Sequence, residues 1–309
     1  MLRFFLRRLS HAVIVVCGVA VLVFSLIHLI PGDPVEVMLG EAAQPADLQA
    51  LRHALGLDQA LHIQFWRYLQ GLAHLDLGNS LHSRRPVLDM LLERLPATLE
   101  LTAAALLLAI SVALPLGVIA ALRKNSGWDR GAMAFAMLGV SVPSFWMGPV
   151  LILVFAVWLG WLPVSGRDGI SSLLLPAITL GLGMAAILAR MVRSALLDTL
   201  NEDYIRTARA KGLPMRTVVW RHALRNALLP VITLLGLQLG ALLGGAVITE
   251  TVFAWPGIGL LVVESIQRRD YPVVQACVLF ISIAYVLVNT LTDLVYAQVD
   301  PRVRLGEFS

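Results

Sequence analysis

Apolar residues along this chain gather in blocks of helical length rather than in the short alternation of strands. The blocks occupy residues 10–30, 101–122, 133–158, 173–192, 229–250 and 274–297. A hydrocarbon core about 30 Å thick, crossed at about 1.5 Å per residue, needs about 20 apolar residues in helical form. The pattern therefore predicts an all-α membrane protein of six transmembrane helices. A membrane barrel would instead show short segments of alternating polarity. Arg3, Arg7 and Arg8 precede the first block, which exceeds a signal-peptide core in length and lacks an Ala-x-Ala exit, so it is expected to be a retained span.

Polar residues between the first two blocks form a long segment, residues 31–96, that opens with the turn-forming Pro31-Gly32-Asp33-Pro34. Asp47 is placed to cap a short helix bearing Leu48, Leu51 and Leu55, with Gly56 ending it. Ile63, Trp66 and Leu69 continue a helical stripe. From Pro86, the residues Val87, Met90 and Leu91 predict an interfacial elbow leading into the second span. These helices suit a membrane surface, either as a packed cap or as a docking face. Pro143 and Pro149 interrupt the third block, which predicts either a simple kink, the favoured reading, or a broken helix lining the pathway. Trp158 and Trp161 close that block at the level where indole rings favour headgroups.

Small residues recur four apart at Gly181, Ala185 and Ala189 in the fourth block and at Gly236, Gly240 and Gly244 in the fifth. Such faces let helix backbones approach closely. The fourth is expected to pack within the chain; the fifth could meet a helix of this chain or of another.

Composition agrees with a lipid environment: 58% of residues are hydrophobic and 14% charged. The net charge of +4 does not point to nucleic acid, because the basic residues flank apolar blocks instead of covering one soluble face. Of the 24 lysines and arginines, 16 lie in the N-terminus, the turn carrying Arg123, Lys124 and Arg130, the loop from Arg190 to Arg225, and the tail with Arg302 and Arg304. By the positive-inside rule these segments, and so both termini, face the cytoplasm. Cys17 and Cys277 fall in apolar blocks without metal-ligand spacing and are expected to serve packing.

The cytoplasmic loop between the fourth and fifth blocks has a helical grammar of its own. Thr199 and Glu202 have the spacing of a capping box, and Glu202 and Asp203 suit the positive end of a helix dipole. Arg206, Arg209 and Lys211 fall toward the negative end, Gly212 can adopt the left-handed stop, and Pro214 cannot continue a helix. The spacing predicts a helix of about three turns, then a second helix to Pro230. With Ala208 and Ala210 on its surface, the first helix is either a knob shaped for a groove on another protein or a basic loop obeying the positive-inside rule.

Tyr204, Thr207-Ala208-Arg209-Ala210-Lys211-Gly212, His222, Arg225-Asn226-Ala227 and Pro230 resemble the coupling segment of the dipeptide, oligopeptide and nickel ATP-binding-cassette (ABC) importer permeases. Matches elsewhere are Pro31-Gly32-Asp33-Pro34, Leu55-Gly56-Leu57-Asp58, Leu77-Gly78, Arg85-Pro86-Val87, Trp255-Pro256-Gly257 and Arg269-Asp270-Tyr271-Pro272. In this order they cover nearly the whole chain and most resemble the B-type subunits of dipeptide and oligopeptide importers. Arg206 and Thr207 stand where the general Glu-Ala-Ala coupling consensus begins, a variant usual in the peptide branch.

The resemblance implies a type I ABC importer permease fold of the MetI-like kind. It implies a first span plus periplasmic segment over residues 1–93, a permease core over 94–297 with a coupling helix near 200–212, and a cytoplasmic tail over 298–309. The expected partners are a second, homologous permease subunit in a heterodimer, two ATPase subunits that bind ATP and magnesium, and a periplasmic or extracellular substrate-binding protein. This chain itself is expected to bind no cofactor or metal, and nucleotide-driven closure of the ATPases would move the helix around Ala208. Peptides are the implied cargo, with nickel chelate, glutathione or haem as alternatives of the same architecture.

The chain lacks the Gly-x-x-x-x-Gly-Lys-Ser/Thr phosphate loop, and its only lysines are Lys124 and Lys211, so the motor must be another polypeptide. An ion-coupled transporter would place a carboxylate near mid-membrane. Asp293 lies near the cytoplasmic end instead, where Arg190 or Arg193 would make it half of a gate-like ion pair or where it is an interfacial charge; Glu250 sits near the external end of its span. A membrane enzyme would need a nucleophile and base at depth, but Ser141 and Ser144 lack a Gly-x-Ser-x-Gly setting and His28 falls near the outer interface.

Overall fold

The computed structural model describes residues 2–29, 35, 44–54 and 56–299, and among them every regular element is helical. In chain order these are α1 (Leu2–Leu29), α2 (Pro45–Ala54), α3 (Leu61–Ala73), α4 (Val87–Leu122), α5 (Gly127–Ser141) and α6 (Ser144–Leu151). A π-helical stretch, Ile152–Trp158, extends α6. Then come α7 (Ile170–Leu200), α8 (Asp203–Ala210), a turn at Met215–Thr217 running through π-helical Val218–Ala223 into α9 (Leu224–Val252), α10 (Ile258–Gln267) and α11 (Tyr271–Val299).

Among the described residues four helices are long and apolar enough to cross a membrane: Val87–Leu122, Ile170–Leu200, Met215–Gly240 and Tyr271–Thr292. The pair Gly127–Ser141 and Ser144–Trp158 makes a fifth if counted as one span. The expected first span coincides with α1, whose apolar described stretch, Val13–Ser25, is shorter than a crossing.

Three expectations about the spans need correction. The simple kink at Pro143 is a 103° bend between α5 and α6. A residue before proline is driven out of the helical region, and Val142 accordingly sits at φ −89°, ψ 116°. The elbow at Val87 is not a separate interfacial helix but the first turns of the 36-residue α4. The second loop helix does not stop at Pro230, which lies inside α9.

Contacts divide the chain into two compact units. One comprises the described residues up to Thr98 together with Pro256–Val286. Its core joins Val87 and Leu91 of α4, Ile258, Leu261 and Val262 of α10, and Val273, Ala276 and Cys277 of α11. The Ile258 N–H donates to Thr98 Oγ1 at 2.9 Å. Buried Asp270 accepts from the Ser80 hydroxyl at 2.5 Å and from the Leu81 N–H at 3.1 Å, so the loop before α4 is latched to the turn before α11. Phe24 of α1 meets Phe65 of α3 edge to face, with centroids 5.1 Å apart. The short helices predicted around Leu48 and Trp66 are α2 and α3, and Gly56 has the left-handed φ of +68°. Asp47 lies in the first turn of α2 rather than at its cap, and Ile63 and Trp66 are exposed, as an interfacial helix requires. Cys277 packs in this core, whereas Cys17 is exposed on α1 and does not fill a packing role there.

The other unit comprises Leu99–Trp255 and the described residues from Leu287. Its centre is a seam of small residues. Ala105, Ala109 and Ala113 on α4, and Ala185 and Ala189 on α7, are almost fully buried. A Cβ added at Gly181 would stand 2.7 Å from the Ala105 carbonyl oxygen, and one at Gly117 2.8 Å from that of Ala189. The backbones thus meet as a small-xxx-small face permits. Gly139 of α5 is equally tight against Ala186, at 2.6 Å from its Cβ.

Candidate functional site

Helix α7 ends at Leu200, and Asn201 and Glu202 turn the chain before α8. Glu202 is the residue that caps α8, in an extended conformation at φ −68°, ψ 148°. The expected reciprocal capping box with Thr199 does not form. Thr199 still belongs to α7, and its hydroxyl donates to the Ala195 carbonyl at 2.8 Å. Helix α8 is consequently shorter than predicted, eight residues against about three turns. Asp203 occupies its first turn, where a carboxylate suits the dipole, and Arg209 its last.

The C-terminal stop is as the spacing predicts. Gly212 has φ +80°, its N–H donates to the Arg209 carbonyl at 2.9 Å, and Leu213 N–H reaches Ala208 O at 3.4 Å. Pro214 then begins the next element from an extended conformation.

Ile205 and Ala208 form the inner stripe of α8, at 0% and 8% exposure, and the helix packs by this side on the π-helical stretch Val218–Ala223. Ala208 is therefore a docking residue toward the chain's own α9 extension, not a knob on the free surface. The residues left outside are Asp203, Tyr204, Arg206, Thr207, Arg209 and Ala210, with Lys211 directly after the helix. A second tie holds the helix from its first turn: Asn226 Nδ2 donates to the Tyr204 hydroxyl at 2.8 Å. That hydroxyl lies 3.5 Å from the carbonyl of His222, whose side chain is half-buried. The predicted coupling residues are thus brought together as a short rigid helix clamped to the base of α9, presenting a basic outer face.

Of the expected gate residues, Arg193 pairs with Asp129. Arg193, near the end of α7, binds Asp129 of α5 with both ends of its guanidinium: Nε to Oδ1 at 2.5 Å and Nη2 to Oδ2 at 2.8 Å. Asp129 also accepts the Asn125 N–H at 2.8 Å. Its side chain is 5% exposed, that of Arg193 23%. Arg193 has its partner within the turn region after α4, Arg190 is exposed, and the side chain of Asp293 lies outside the described residues. The signal for Asp129 was present in the sequence, as Ser126-x-x-Asp129 at a helix start, with Ser126 as cap. Glu250, read as interfacial, is fully buried.

Of the three packing glycines in α9, Gly236 is buried where any Cβ would overlap Thr292 of α11, so this face packs within the chain. Gly240 is buried too; the surroundings of Gly244 lie outside the described residues.

Residues 113–305 match the family model of the binding-protein-dependent transport system inner membrane component, and residues 1–102 match the N-terminal model of the same membrane components. A di/tripeptide transport system permease protein DppB of Pseudomonas aeruginosa is 47% identical over 98% of this chain and 99% of its own length. A glutathione transport system permease protein GsiC of Salmonella paratyphi A is 45% identical over the same shares. Among solved structures, the inward-facing MetNI methionine ABC transporter aligns with a TM-score of 0.60 at 22% identity, over 68% of this chain and 96% of that one. At that identity the likeness speaks for the fold, which is the MetI-like type I permease fold.

Proposed function

Because the chain belongs to the family of binding-protein-dependent transport system inner membrane components, we propose that it forms half of a translocation pathway for di- and oligopeptides. It is a membrane permease subunit of an ABC importer, non-catalytic itself, working with ATPase and substrate-binding partners. The finer assignment has a second, homologous permease subunit completing the pathway, two ATPases binding ATP and magnesium, and an external binding protein delivering cargo. Six spans with both termini in the cytoplasm fit the clustering of 16 of 24 basic residues beside one set of span ends. Peptide cargo is supported by the di/tripeptide permease relative; the glutathione permease relative favours glutathione, itself a tripeptide, as the second reading.

The observation that carries the mechanism is α8 itself. It is anchored inward by Ile205, Ala208 and the Tyr204–Asn226 bond, and its outer face is free for a motor subunit. A rigid element clamped to a long helix transmits displacement instead of absorbing it, so closure of the ATPases would rock α9. The test is the assembled complex in proteoliposomes with its binding protein. Gly212→Pro, which cannot take φ +80°, should leave membrane insertion intact and ATP hydrolysis measurable while peptide uptake falls to background. Unchanged uptake would remove α8 from the coupling role, and uptake by this chain alone on an ion gradient would overturn the importer reading. Competition between labelled dipeptide and glutathione separates the two cargoes.

A further inference from the structure

Coupling through α8 makes no use of Arg216, Trp220 and Arg221, all three exposed on the stretch that leads into α9. With Thr217 they line an open surface depression of about 570 Å³. Trp220 also lines a second cavity of about 420 Å³ whose other walls include Ile110, Leu114, Pro115, Val118 and Ile119 of α4. One indole ring, 62% exposed, thus joins a basic pocket to an apolar groove. Among the described residues neither Arg216 nor Arg221 has a carboxylate within ion-pair distance.

From Ile110 to Ile119 the groove follows α4 for about 14 Å, at the helical rise per residue. Trp220 joins the basic residues to this groove, which reaches to within three residues of the C-terminal end of α4. At the same end Arg123, which follows α4 directly, stands over the Trp128 ring at 5.5 Å. Tryptophan beside arginine is the composition of a membrane–water interface, with indoles at headgroup level and guanidinium groups reaching phosphate. Guanidinium pairs with phosphate through two parallel hydrogen bonds, and two such groups without internal carboxylates ask for a ligand with net negative charge. A soluble protein partner would match the basic mouth but has no use for an apolar channel running to membrane depth.

We propose that these elements form a binding site for an anionic phospholipid: its headgroup phosphate is held by Arg216, Arg221 and the Thr217 hydroxyl, and one acyl chain lies along α4 from Ile119 toward Ile110. The site goes beyond the transport reading and does not depend on which solute is carried. It would tie the segment carrying α8 to the inner leaflet through a lipid of defined charge.

The test uses the assembled importer in vesicles of phosphatidylcholine with either brominated phosphatidylglycerol or brominated phosphatidylcholine as quencher. Trp220 emission is isolated as the difference from Trp220→Phe. Brominated phosphatidylglycerol should quench that component at a mole fraction roughly 25-fold lower than brominated phosphatidylcholine, from about fivefold per arginine near an anionic surface. Arg216→Gln with Arg221→Gln should bring the ratio near one, and Arg216→Gln alone should lower it about fivefold. Equal quenching by both lipids overturns the proposal in favour of ordinary boundary lipid. A Trp220 component that neither lipid quenches also overturns it, because a protein subunit then covers the ring.

Discussion

The Asp129–Arg193 pair offers a quantitative check on how α5 and α7 are joined. Removing one member of a buried ion pair costs about 3–5 kcal/mol when the other is stranded away from water. Arg193 is 23% exposed, so solvent recovers part of its charge in Asp129→Ala. We expect that change to cost about 2 kcal/mol, below the fully buried range. Arg193→Ala strands a carboxylate that is only 5% exposed but keeps its Asn125 N–H bond, and the cost should again be about 2 kcal/mol. The double variant strands nothing and should cost about the same as either single change. The interaction energy is then about 2 kcal/mol, well outside the 0.3–0.5 kcal/mol within which independent sites add. The exchange Asp129→Arg with Arg193→Asp should recover only part of it, because it places a cation in the first turn of α5 against the helix dipole. The assay is unfolding of the purified protein in mixed micelles by rising SDS, with all four members of the cycle run alike. Additive single effects would refute the reasoning, since the pair would then hold nothing together.

Two further outcomes follow from the packing. Gly181→Ala should destabilise by about 1–3 kcal/mol because its Cβ meets the Ala105 carbonyl oxygen at 2.7 Å, whereas Gly183→Ala, whose nearest neighbour is at 3.5 Å, should be nearly silent in the same titration. Asp270→Ala removes the acceptor of the Ser80 hydroxyl and the Leu81 N–H, so trypsin should cut after Arg84 faster than in the parent protein, and unchanged cleavage would show that the loop is held by other means.

What the sequence made legible was what is local. Gly212 followed by Pro214 marks a helix stop through backbone chemistry that needs no tertiary partner, and the structure has the stop there. The inward turn of Ala208 was not legible, because in an eight-residue helix a small side chain suits both the buried stripe and a surface knob. Only the contact with Val218–Ala223 decides between them. Arg193 was offered with Arg190 as a possible partner of Asp293, and its bond to Asp129 was not legible, since its charge is local but this pairing crosses from α7 to α5. Pro143 gave the position of a break without its angle, because proline forbids helix at Val142 but does not aim the chain that follows. α10 escaped notice because its ten residues are too few for a span, and its apolar face is explained only by the core shared with α4 and α11.

The 103° bend also bears on how the protein is made. At most about 22 Å of helix lies on either side of Pro143, less than the thickness of the hydrocarbon layer. Neither limb can leave the translocon as a finished rod, and the loose amide groups at the corner find no hydrogen-bonding partner among acyl chains. The bent pair is therefore expected to settle only once neighbouring helices shelter its corner, which makes maturation of the region a late and cooperative event.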